Sequence, residues 1–282
     1  RTATNTIYWV VQLGDSYWNL TTLALNSLPT TTPFQSDASL NNYSIAVAGD
    51  ARANNRNPYQ PGYYSNYFDG SGDSLTLASS SAMSLSGEFT VECWVYWAGT
   101  SLSYQNFVGS NDSFSSNASF FRVWGSGAGG TLGGKIGIGN PTHDATSSVY
   151  STNSLTANTW NHVAATRDSS NIIRVFINGN LERTGSTDTS LYNFGQGGTC
   201  IGDSPWDGAN GWYTGYISNL RITKGQALYT SSFTPSTSPL TTTSQGALVG
   251  NVSLLTCQST RLIDNSVNNF TITKVGDTKV SR

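Results

Sequence analysis

Across Phe89-Thr90-Val91-Glu92-Cys93-Trp94-Val95-Tyr96-Trp97, every second side chain is apolar, with Phe89, Val91, Cys93, Val95 and Trp97 on one face. A period of two is that of a β-strand. The opposite face carries Trp94 and Tyr96, so the segment is apolar on both sides, which predicts a place in the middle of a sheet rather than at its edge. Ile173, Val175 and Ile177 alternate likewise and run into Asn178-Gly179, with Leu181-Glu182-Arg183 beyond. An Asn-Gly pair between two such runs predicts a two-residue hairpin, because both residues tolerate positive φ. Further strands are predicted over 67–77, 120–124, 135–138, 160–167, 200–202 and 215–223, separated by turn clusters at Gly70-Ser71-Gly72-Asp73, 125–134 and 195–198. No segment holds an apolar period of 3.6 over three turns. Residues 18–28, with Trp18, Leu20, Leu23, Leu25 and Leu28, are the one stretch that accommodates a short helix. The Ser/Thr run over 230–244, with Pro235 and Pro239, reads as an extended strap closing the strand-rich region.

Composition supports the all-β reading. Charged residues make up 11% of the 282 residues, against roughly a quarter in ordinary soluble proteins. Polarity comes instead from Ser, Thr, Asn and 29 Gly, which suit strands and turns and not helices. The net charge of −2 leaves no basic stripe for a phosphate backbone, so nucleic acid is not an expected partner. No apolar run is long enough to insert across a membrane as a helix. Eight Trp and 14 Tyr give enough bulk for a real core. Cys93, Cys200 and Cys257 are too few and odd in number for a disulfide framework. Three free thiols are expected, with a single bridge as the alternative. A chain that begins at Arg1 without a signal peptide reads as a processed product or a segment of something longer.

A repeat organises the chain. Residues 37–50 read DASLNNYSIAVAGD and residues 264–277 read DNSVNNFTITKVGD. The copies bracket the strand-rich region, as module arrays do. The expected layout is an extension over 1–61, a sandwich over 62–240, and a linker over 241–282 that leads towards a next module. The competing reading makes the two copies paired strands of one sheet.

These residues resemble a known family. Ser65-Asn66-Tyr67-Phe68-Asp69-Gly70, the strand from Phe89, Trp160-Asn161-His162-Val163-Ala164 and Phe176-Ile177-Asn178-Gly179 match, in order, a laminin-G-like (concanavalin A-like) jelly-roll domain. Gly215-Tyr216-Ile217-Ser218-Asn219-Leu220-Arg221-Ile222 and the strap from Ala227 to Pro235 match its close. The resemblance implies an all-β, two-sheet antiparallel sandwich with extended flanking segments, and glycan or protein binding or pure scaffolding. Leu254-Leu255-Thr256-Cys257-Gln258-Ser259 and Asn268-Asn269-Phe270-Thr271-Ile272 resemble linkers between such domains in virion proteins of tailed phages.

Candidate chemistry is sparse. Sandwich glycanases of this broad fold carry closely spaced acidic residues along one strand, and hydrolysis needs two carboxylates facing one cleft. Here Glu92 stands alone, so no enzyme activity is expected and Glu92 reads as a hydrogen-bonded strand residue. His162 reads as a packed strand histidine and His143 as a loop residue, with no zinc pattern. Calcium is an open question, with Asp69, Asp112, Asp203 and Asp207 as the loop carboxylates that could serve it. The best binding candidate is the loop from Gly202 to Tyr213, with Asp203, Trp206, Asp207, Asn210, Trp212 and Tyr213. Its aromatic faces stack on sugar rings and its Asp and Asn groups meet hydroxyls. In the alternative reading Trp206 and Trp212 fold inward as a lid on the core. The expected function is non-enzymatic: a fibre or capsid-decoration module at a virion surface, homo-oligomeric with other virion or filament subunits, touching host-surface glycans. A cell-surface adhesin or extracellular filament is the alternative, and a glycan-active enzyme a third.

Overall fold

The computed structural model describes residues 57–59, 63–112, 118–128, 131–140, 149–259 and 261–281. Among these, the strands in chain order are β1 (Ser65–Asp69), β2 (Ser74–Leu77), β3 (Ser84–Leu85), β4 (Phe89–Trp97), β5 (Tyr104–Ser110), β6 (Phe120–Trp124), β7 (Lys135–Gly139), β8 (Val149–Ser154) and β9 (Trp160–Arg167). They continue with β10 (Ile172–Ile177), β11 (Asn180–Thr187), β12 (Tyr192–Asn193), β13 (Thr199–Ile201), β14 (Thr214–Lys224), β15 (Val252–Thr256), β16 (Thr273–Val275) and β17 (Lys279–Ser281). An eight-stranded sheet runs β11-β10-β9-β4-β14-β1-β17, with β15 also on β14; a seven-stranded sheet runs β16-β2-β13-β5-β6-β7-β8. All these pairings are antiparallel. This is the two-sheet sandwich expected from the alternation.

The doubly apolar segment over 89–97 is β4, and it does lie in the middle, between β9 and β14. Its Phe89, Val91, Cys93, Val95 and Trp97 enter the core between the sheets and meet Phe107, Phe121, Val123 and Ile138 from the facing sheet. The outward face of the eight-stranded sheet is aromatic too. Tyr67, Tyr216, Tyr96 and Trp160 stand directly across β1, β14, β4 and β9, with successive ring centroids 4.9, 5.7 and 5.8 Å apart. All three cysteines are free and buried.

β14 takes two partners end to end along one edge: β1 over 214–217 and β15 over 220–223. The junction is Asn219, at φ 53°. Its Oδ1 accepts from Leu240 N (2.8 Å) and from Gln258 Nε2 (2.5 Å), so one amide closes the seam where the strap and the chain after β15 converge.

The segment over 241–282, expected as linker, instead supplies β15 and β17 to one sheet and β16 to the other. Its repeat motif has a structural cause. The Asp264 carboxylate accepts from the backbone N–H groups of Leu255, Ser266 and Phe270 at 2.9–3.0 Å. Ser266 Oγ and Asn268 Nδ2 both donate to Ser253 O. Asp, Ser and Asn at this spacing thus form a polar knot that ties the turn to β15 before the chain re-enters the sheets. The other copy, over 37–50, and the helix-compatible stretch over 18–28 lie outside the described residues.

The Asn178-Gly179 hairpin forms as predicted between β10 and β11, with φ 50° and 78°. It also seats the strap: Phe233 N donates to Gly179 O (2.9 Å), and a Cβ on Gly179 would stand 2.0 Å from Phe233 O. Gly72 has a similar φ of 77° but open space around its missing Cβ. Gly179→Ala is therefore expected to cost about 2–4 kcal/mol, the conformational strain plus displacement of the strap, and Gly72→Ala about 1 kcal/mol from strain alone. Urea unfolding of the two variants measures the difference; equal losses would mean that the strap contact contributes nothing.

Candidate functional site

Glu92 points outward from β4, yet it has no exposed surface, because the strap crosses over it. Arg221 lies directly across on β14 and donates to Oε1 through Nε (2.9 Å) and Nη2 (2.6 Å). Oε2 receives the Tyr229 hydroxyl (2.8 Å) from the strap and faces His162 Nε2 (3.1 Å) on β9. His162 Nδ1 has no partner among the described residues, so the ring proton belongs on Nε2, towards Glu92. Burial raises the Glu92 pKa, but the hydrogen bond from His162 and the charge of Arg221 outweigh it and bring the group down to about 2. Arg221 Nη1 also donates to Thr241 O (2.7 Å) and Ser244 O (2.9 Å). Glu92 is a structural node closed to substrate, as its hydrogen-bonded reading anticipated.

The loop from Gly202 to Tyr213 covers the outward face of the seven-stranded sheet. On β6, Phe121 and Val123 enter the core, so Arg122 and its outward neighbours Phe120 and Trp124 face the loop. The 3-10 turn Pro205–Asn210 brings Asp207 to Arg122 Nη1 (3.3 Å). The guanidinium lies 3.5 Å from the Phe120 ring centroid, 5.3 Å from Tyr104 and 5.9 Å from Trp206. Asn106, opposite Arg122 on β5, is fully buried, and neither atom of its amide has a hydrogen-bond partner among the described residues; nor does Arg122 Nε. Burial lowers Arg122 to about 10 against the opposing charge of Asp207. Burial also raises Asp203, to about 6, despite the N–H of Ser204, with the Asp207 charge adding to the rise.

Of the six residues expected here, Trp206, Asp207, Asp203 and Trp212 are half-buried and Asn210 is exposed. Tyr213 is a correction. It has no exposed surface and packs edge-on against Phe68 and Phe107 in the core, because the chain there already alternates into β14. Sequence reasoning missed Arg122 and Asn106. Arg122 sits in an otherwise apolar strand, which is the signal that could have singled it out. Among the calcium candidates, Asp69 joins Asp73 and Asp277, with carboxylate oxygens within 4.8 Å of one another; Asp112, Asp203 and Asp207 do not join them. Asp73 already accepts from Asp69 N and Asp277 N, and Asp277 pairs with Lys279 (2.9 Å). Much of the oxygen capacity a calcium ion would need is thus spent. His143 lies outside the described residues.

A two-sheet antiparallel sandwich with this strand order is a jelly roll of the concanavalin A-like type. The family model described as concanavalin A-like lectin/glucanases superfamily, of laminin G type, matches residues 69–229, more than half of the chain, and the chain belongs to that family. No curated protein matches in sequence. Among solved structures, a Bacteroides ovatus protein with a proposed carbohydrate-binding role is 14% identical with a TM-score of 0.53, covering 85% of this chain and 66% of that one. A heptameric pentraxin of Limulus polyphemus is 14% identical, TM-score 0.45, over 77% of this chain and 94% of that one. The sialidase carbohydrate-binding module of Ruminococcus gnavus bound to α2,3 sialyllactose is 13% identical, TM-score 0.42, over 52% and 80%. At these identities the likeness is one of fold. Among the described residues no helix is long and apolar enough to cross a membrane.

The Glu92 node makes stability acid-sensitive. A carboxylate depressed from 4.5 to about 2 contributes about 3 kcal/mol, at roughly 1.4 kcal/mol per pH unit. That contribution is present above pH ~4.5 and is lost as pH falls towards ~2. Glu92→Gln is expected to cost about 3–5 kcal/mol at neutral pH by leaving Arg221 buried without its counter-charge, and to flatten the fall in Tm over this window. Melting curves between pH 7 and pH 2 test both; an unchanged acid slope in the variant would contradict the assignment.

Proposed function

We propose that the chain is a non-catalytic carbohydrate-binding module of a virion surface protein, and that the glycan docks where the Trp206 loop covers the seven-stranded sheet. The observation that carries this reading is the pairing of Asn106 and Arg122. Buried polar groups are nearly always satisfied, and exceptions call for a ligand or water to complete them. A sugar hydroxyl both donates and accepts, and so suits the Asn106 amide and the Arg122 Nε–H, which have no partner among the described residues. Tyr104 and Trp206 supply aromatic faces next to these groups. Gly208, at φ 54° and ψ −140°, and Gly211 give the loop the backbone freedom to admit the ligand.

Homo-oligomeric assembly and serial display on a fibre or capsid belong to the same proposal. Their support is the duplicated Asp-x-Ser-x-Asn-Asn motif, the likeness of the flanking segments to phage virion linkers, and a surface low in charge. Mass spectrometry of purified particles should find the chain among virion proteins; a parent gene with no phage context would sink that part.

Trp206→Ala or Trp212→Ala is expected to weaken retention on immobilised polysaccharide by about 1–2 kcal/mol, roughly five- to thirtyfold in Kd, with Tm little changed. Affinity electrophoresis together with thermal melts checks both halves. Retention that survives both substitutions, or a collapse in stability of several kcal/mol, would place the tryptophans outside the site.

A further inference from the structure

The eight-stranded sheet carries a separate cavity on its own outer face. Where the strap passes Pro235, a groove of about 400 Å³ is walled by Trp94 from β4, by Pro58 and Tyr59 from the chain before β1, by Pro235, Ser236 and Thr237 of the strap, and by Asn178 of the hairpin turn. The volume falls within the range of small-ligand sites, roughly 300–1,000 Å³.

Trp94, Asn178 and the strap are held in place. The Trp94 ring lies between His162 (5.3 Å) and Tyr59 (5.8 Å), edge-to-face with both. Asn178 Oδ1 accepts from His162 N (2.8 Å) and its Nδ2 donates to Asn161 Oδ1 (3.2 Å). The strap is seated on Gly179 beside Pro235. A groove with fixed walls does not have to be ordered when a ligand enters, which lowers the cost of binding.

The lining selects the ligand. One indole, one phenol and two proline rings offer flat apolar surface, and Ser236, Thr237 and Asn178 offer uncharged polar groups. No charged side chain lines the groove. An anionic ligand would lose hydration there without meeting a cation. A polyol with apolar ring faces loses little and gains stacking on the aromatics. We propose that this groove is a second binding site, specific for one or two units of a neutral sugar, independent of the Trp206 loop on the opposite sheet. The proposal extends the carbohydrate-binding reading to a new surface. With both outer faces engaged, the module would hold a polysaccharide at two points, raising avidity without new contacts at either.

The test is calorimetry on the full 282-residue chain, with neutral gluco-, manno- and galacto-oligosaccharides, sialyllactose as the anionic probe, and a proline-rich peptide. At least one neutral oligosaccharide is expected to bind. Trp94→Ala should weaken it at least tenfold, and so should Thr237→Trp, which fills the groove from an exposed position and keeps the test valid if loss of the indole unfolds the sheet. Trp206→Ala should remove only the share of the binding that belongs to the loop, leaving the share that Trp94→Ala and Thr237→Trp remove. The proposal is overturned if no neutral oligosaccharide binds, if binding is indifferent to both groove variants, or if sialyllactose or the peptide is the ligand that these variants displace. Glycan binding lost in Trp206→Ala but intact in the groove variants would overturn this site and leave the loop site standing; the reverse pattern would do the opposite.

Discussion

The carboxylate of Glu92 holds together segments that are remote in sequence. Its four contacts come from Arg221 on β14, His162 on β9 and Tyr229 on the strap, and Arg221 extends the grip to Thr241 and Ser244. A buried ion pair adds little net stability compared with a well-packed apolar replacement, but losing one partner leaves a charge with nowhere to go. The strap therefore has one path across the sheet. Along that path Thr166 Oγ1 donates to Tyr229 O (2.7 Å), Tyr229 and Phe233 stack in parallel at 3.5 Å, and Phe176 meets both edge-on. The strap's position beside Trp94, where it walls the groove, is a consequence of this anchoring.

The two outer faces of the sandwich differ in kind. One is covered by the strap, beside a groove lined by uncharged residues. The other is covered by a loop above a cation, a carboxylate and an amide, and among the described residues Arg122 Nε and both amide atoms of Asn106 have no hydrogen-bond partner. The acid that sequence reasoning weighed for catalysis, Glu92, is the buried structural node.

Alternation and turn chemistry made much of the fold legible. β4 and its central place, the type of turn at Asn178-Gly179, and β6, β7, β9 and β14 were readable to within a residue or two, because a core face repeats every second position and an Asn-Gly pair has few uses. β5 and β8 were not. Tyr104-Gln105-Asn106-Phe107-Val108-Gly109-Ser110 breaks alternation at a bulge between Asn106 and Val108, and its polar residues are buried by other parts of the chain. β15, β16 and β17 are short and polar-flanked, and only their pairing with β14, β2 and β1 makes them strands.

The candidate sites divide in the same way. Local sequence determined that Trp206, Asp207 and Asn210 share one Gly-rich loop, that Glu92 lacks a second acid on its strand, and that the repeat's Asp, Ser and Asn recur together. Tertiary structure alone decided that Tyr213 turns into the core, that Arg122 and Asn106 lie beneath the loop, that Asp277 meets Asp69 and Asp73, and that Trp94 borders a groove. The reason is one of range. Alternation and turn preference act between neighbours in the chain, whereas burial, charge pairing and cavity shape depend on which strands a sandwich lays side by side.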